Sequence, residues 1–76
     1  MMSLGKMPMD DLIRIANCGG GFRLDAKHRY PDELIQIATA AKTGGATVIF
    51  YGMSAHYTDD LIQIATAGKG SVIFED

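Results

Sequence analysis

One eight-residue phrase occurs three times in this chain. Asp10-Asp11-Leu12-Ile13-Arg14-Ile15-Ala16-Asn17 returns as Asp32-Glu33-Leu34-Ile35-Gln36-Ile37-Ala38-Thr39, and again as Asp59-Asp60-Leu61-Ile62-Gln63-Ile64-Ala65-Thr66. Each copy runs through glycine into a short apolar stretch: Phe22-Arg23-Leu24, Val48-Ile49-Phe50 and Val72-Ile73-Phe74. The phrase recurs after 22 and then 27 residues (Leu12, Leu34, Leu61). Self-similarity at such a period is the mark of a repeat architecture, in which each unit buries its apolar side only by stacking on a neighbour.

Each phrase has helical spacing. Leu12, Ile13, Ile15 and Ala16 fall at intervals of one, three and four, and the same stripe returns at Leu34, Ile35, Ile37, Ala38 and Ala41 and at Leu61, Ile62, Ile64 and Ala65. Acidic pairs open every copy (Asp10-Asp11, Asp32-Glu33, Asp59-Asp60) and complement the positive end of a helix dipole. Pro31 suits a first helical position and Thr58 is expected as an N-cap. Gly19-Gly20-Gly21, Gly44-Gly45 and Gly68-Lys69-Gly70 stop the helices, since glycine reaches positive φ without steric cost.

The following segments, residues 22–27, 47–52 and 71–75, read as strands rich in β-branched and aromatic residues. Strand, helix, strand gives a parallel pair with a right-handed crossover. The predicted fold class is therefore α/β. Three helix–strand repeats (about 8–27, 31–52 and 58–76) form a three-stranded parallel sheet in the order 1-2-3, solenoid-like, with the helices on one face. Period-two alternation sends Phe22, Leu24, Val48, Phe50, Val72 and Phe74 towards the helices. Arg23, Asp25, Ile49, Tyr51, Ile73 and Glu75 then occupy the other face. Parallel sheets rarely leave a face bare, and open edges invite pairing. The expectation is a homo-oligomer, a dimer first, joined sheet to sheet or edge to edge, with Ile49, Tyr51, Ile73 and Arg23 at the interface. The alternative cover is the methionine-rich N-terminal segment, 1–9, because methionine is an adaptable filler.

The unit resembles a leucine-rich repeat of the ribonuclease-inhibitor type over residues 8–76. Val48 and Phe50 carry the alternating strand motif, and the period lies in that family's range of about 20–29 residues. Met53, and Lys27 or His28, stand where the family places an Asn. The resemblance implies protein binding through the exposed sheet face and no catalysis.

Seventy-six residues allow one domain with a small core, read here as 8–76 behind a flexible segment 1–7. Scaffolds this small gain stability by associating. Cys18 stands alone, so there is no disulfide framework, and no Cys/His spacing suits a structural zinc; no cofactor is expected. The N-terminus is neither a signal peptide nor a membrane span, and a cytoplasmic setting fits a lone thiol. A formal net charge of −2, with Lys27-His28-Arg29 as the only basic run, argues against a nucleic-acid partner.

Few residues suggest chemistry. The glycine run Gly19–Gly21 follows a helix and opens a strand, the reverse of a phosphate-binding loop. Cys18 falls at a helix C-terminus in a slot held by Ala40 and Ala67, where the dipole does not activate a thiol. In parallel sheets ligands gather beyond the carboxyl ends of the strands. There Lys27, His28 and Arg29 lie on one loop and His56 and Tyr57 on the next, a set able to hold a small anion or supply a general base. Tyr30 and Tyr57 also read as hydrophobic staples at the starts of their helices. The favoured reading is a non-enzymatic protein-interaction or self-assembly module. The alternative is a small ligand-binding or catalytic protein that uses those two loops.

Overall fold

The computed structural model describes residues 6–76 and shows a mixed α/β chain, with three α-helices and a three-stranded parallel sheet among them. Helix α1 (Met9–Asn17) leads into β1 (Phe22–Asp25), α2 (Pro31–Gly44) into β2 (Val48–Tyr51), and α3 (Thr58–Gly68) into β3 (Val72–Phe74). A 3₁₀ turn, Met53–Ala55, sits between β2 and α3. The strand order is β1-β2-β3, as the repeat requires. The sheet is open at both edges. Equivalent residues lie side by side: Phe22, Val48 and Val72 in one row, Arg23, Ile49 and Ile73 in the next, then Leu24, Phe50 and Phe74.

The strands are shorter than the sequence pattern predicts, but their ladder runs on into the loops. The Ala26 amide donates to the Tyr51 carbonyl at 2.9 Å, and the Met53 amide to the Glu75 carbonyl at 3.1 Å. The face assignment holds. Leu24, Val48 and Phe50 are fully buried in one apolar cluster with Leu12, Leu34, Ile37 and Ile64 of the helices, and Phe22, Val72 and Phe74 pack at its margin. Among the described residues no polar or charged side chain is buried.

Pro31 opens α2 as expected, but the start of α3 differs. Thr58 is not an N-cap; it is the first residue of α3, and Tyr57 caps it with no side-chain hydrogen bond. The cause is the repeat itself. Tyr30 and Tyr57 share the same extended backbone (φ −74°, ψ 148°), so Thr58 falls into the position that Pro31 holds in α2. The tyrosines are therefore caps rather than staples, which sit one residue earlier. They are 76% and 82% exposed. At Tyr30 it is the amide that is satisfied, by Glu33 Oε1 at 3.0 Å.

The glycine stops work as expected in two repeats. Gly19 (φ 93°) and Gly45 (φ 74°) end α1 and α2 in the left-handed conformation. The Gly20 amide reaches the Ile15 carbonyl and the Ala46 amide the Ala41 carbonyl, closing a Schellman motif in each. In α3 the left-handed residue is Lys69 (φ 35°), because Gly68 remains helical. A Cβ on Gly68 would collide with the Val72 side chain and approach the Ala38 Cβ to 3.2 Å. This glycine permits close approach of α3 to its neighbours.

The N-terminal segment is seen in part. Met7 and Met9 pack against the core beside Arg29, whose Nη1 lies 3.3 Å from Met9 Sδ and whose Nη2 donates to the Met7 carbonyl at 3.5 Å. The rest of the segment expected to be flexible, residues 1–5, lies outside the described residues.

Candidate functional site

The face of the sheet away from the helices presents two rows. Arg23, Ile49 and Ile73 stand abreast in the first. Asp25 and Tyr51 stand in the second, and Glu75 follows β3 beside Tyr51, its amide donating to the Phe50 carbonyl at 2.8 Å. Ile49 and Tyr51 are half-buried, and Ile73 is 47% exposed. Arg23 crosses the whole sheet. Its guanidinium lies 4.1 Å over the Tyr51 ring, and its Nε and Nη2 donate to Glu75 Oε1 at 3.1 and 3.0 Å. The stacking of a planar cation on the ring positions the ion pair. The four residues expected at an interface, Ile49, Tyr51, Ile73 and Arg23, thus share one face. Its apolar centre is Ile49 with Ile73, bordered by a fixed pair of opposite charges.

The five loop residues are placed separately. Lys27, His28 and Tyr57 are exposed. Arg29 is half-buried and turns towards Met7 and Met9. His56 Nε2 lies 2.7 Å from the Ala26 carbonyl, so the protonated nitrogen donates there and ties the loop after β2 to the end of β1. The Asp25 carboxylate accepts the Lys27 amide at 3.0 Å, which sets the turn after β1. Among the described residues no group of three or more His, Cys, Asp or Glu side chains comes together to hold a metal ion. Cys18 is a free, exposed thiol.

Sequence reasoning missed two features. The Arg23–Glu75 pair joins residues 52 apart, and no local pattern announces it. The other lies at the two ends of the repeat stack. An open cleft of about 580 Å³ adjoins α1, with Met7, Arg14, Ile15 and Cys18 on its walls. A smaller one of about 270 Å³, between Leu61, Met53 and Phe74, adjoins β3. The signal for the ends was present, since a repeat that stacks on both sides leaves its terminal units half covered.

No helix among the described residues is long and apolar enough to cross a membrane. Comparisons with protein-family models, with curated proteins and with solved structures return no match.

Proposed function

We propose that this chain is a short, solenoid-like, non-enzymatic module of the cytoplasm that works by self-association or protein binding, with the open sheet face as one contact surface. The observation that carries the reading is the exposure of Ile73 beside Ile49 on a parallel sheet with helices on one side only. The leucine-rich-repeat likeness of the strand motif favours the same face. Ile73 and Ile49 supply apolar area, and Arg23 and Glu75 supply orientation, since paired rim charges select a partner more than they add affinity.

Size sets the strength of this contact. Three strands about 4.8 Å apart and about four residues long at 3.3 Å each give a footprint on the order of 200 Å². A standard stable interface buries about 800 Å² per partner. Sheet-to-sheet contact alone is therefore weak, and a lasting assembly needs more surface. The test is Ile73→Asp, alone and with Ile49→Asp, read by light scattering and circular dichroism. The folded variant is expected to associate less than the natural chain. An unchanged mass at every concentration, with native stability, overturns the role of this face.

A further inference from the structure

The repeats divide the apolar stripe of each helix into two sides, and burial shows which side faces which neighbour. Leu12, Leu34 and Leu61 are equivalent, as are Ala16, Ala38 and Ala65. The first two of each set are completely buried, whereas Leu61 is half-buried and Ala65 is exposed. Ile13 and Ile35 pack against the core, while Ile62 is 58% exposed. These positions face the following repeat, and in the third repeat they are left uncovered.

A complementary set behaves in the opposite way. Ile37 and Ile64 are completely buried, but Ile15 is only half-buried. Ala40 is buried and Ala67 half-buried, but Cys18 is exposed. Ala41 and Gly68 are buried, but Gly19 is exposed. These positions face the preceding repeat, and in the first repeat they are left more exposed.

We propose that a second copy of this chain covers each end, the third repeat of one copy receiving the first repeat of the next, head to tail. The occupant follows from the chain's own internal contact. The uncovered residues Leu61, Ile62 and Ala65 have the same identities as Leu34, Ile35 and Ala38, which α3 already covers. The uncovered residues of repeat 1 match in kind those that do the covering in repeats 2 and 3: an isoleucine and two small residues (Ile15, Cys18 and Gly19, against Ile37, Ala40 and Ala41, and Ile64, Ala67 and Gly68). Gly19 aligns in sequence with Gly68, which lies close to Ala38; it ends its helix in the left-handed conformation where Gly68 stays helical, but it likewise brings no Cβ towards Ala65 in the stack. The free edge of β3 then receives β1 of the next copy in the parallel sense that β2 and β3 use within the chain. The contact is heterologous, so it grows into an open stack unless its geometry closes a ring. It does not depend on the sheet face discussed above.

The experiment uses two exposed positions, Ala65→Glu to block the third repeat and Cys18→Glu to block the first. Circular dichroism checks that each variant retains its fold, and light scattering reads the mass. The natural chain is expected to grow in mass with concentration beyond a dimer. Each variant alone is expected to lose that growth. Their equimolar mixture is expected to give a species at the sum of the two masses, because each supplies the end that the other lacks. Ile73→Asp is expected to leave end-to-end growth in place, which separates this contact from the sheet face. Folded Ala65→Glu that grows like the natural chain overturns the proposal. So does a natural chain whose mass stays at that of one chain or of a dimer at every concentration. A Cys18→Glu variant that retains the natural assembly also overturns it and points to a two-fold contact between third repeats.

Discussion

Arg23 on β1 and Glu75 beyond β3 form an ion pair across the full width of the sheet, with the Tyr51 ring beneath the guanidinium. Both hydrogen bonds go to one carboxylate oxygen, at 3.1 and 3.0 Å. The side chains are 55% and 42% exposed, so solvent screens the charges strongly. Glu75→Gln is expected to cost no more than about 1 kcal/mol, and less in high salt. Urea denaturation at two ionic strengths checks this. A double-mutant cycle with Arg23→Ala isolates the coupling.

The misplaced helix stop in the third repeat gives a second prediction. Lys69 adopts φ 35°, which disfavours a side chain with a Cβ. Gly68 cannot take over that role, since it is held helical against Ala38 and Val72. Lys69→Gly is expected to raise stability by about 1 kcal/mol, in contrast to glycine placed at an ordinary helical position. Gly68→Ala is expected to lower it, although alanine is the better helix former, because overpacking costs about 1–3 kcal/mol. Thermal and urea melts of the two variants decide between steric fit and helix propensity.

Position along the stack predicts the third result. Leu24, Phe50 and Phe74 are register neighbours in one row, and Phe50 is completely buried at its centre whereas Phe74 is half-buried at its end. Phe50→Ala is expected to cost about 3–5 kcal/mol. For 76 residues the whole stability is roughly 4–11 kcal/mol. The variant is therefore expected to be unfolded or nearly so at 25 °C. Phe74→Ala buries less and is expected to cost about half as much. Equal losses at the two sites, measured by urea denaturation, count against a core centred on β2.

The two histidines are expected to part company. His56 donates to the Ala26 carbonyl at 2.7 Å, whereas His28 is exposed. His56→Ala is expected to lower stability by about 1 kcal/mol, the net value of one such bond. His28→Ala is expected to change it by less than about 0.5 kcal/mol. Amide resonances of both loops, followed during addition of phosphate or a divalent cation, test the ligand reading separately. Shifts confined to these loops would support that reading.

Much of the fold was legible because the repeat states it three times. Helix stripes, glycine stops, parallel strand order and the inward set Leu24, Val48 and Phe50 all follow from periods of 3.6 and 2. The helix starts were misread at Thr58, since capping preference is local and the repeat imposes the entry that Pro31 sets. The position beyond the end of β1 groups Arg29 with Lys27 and His28 on one loop, yet its side chain turns to Met7 and Met9, a contact with a segment 20 residues away that no local pattern announces. The Arg23–Glu75 pair depends on side chains meeting across two strands, which only the assembled register provides. The division of each helix into two sides was hidden in identical repeats, and became visible only through the unequal burial of Ala38 and Ala65.

Self-association is the central claim, and solution mass tests it most directly. Light scattering on the natural chain over roughly a hundredfold range of concentration reads the equilibrium by mass action. The account predicts a mass above that of one 8.2 kDa chain that rises with concentration. A mass that stays at one chain throughout contradicts it.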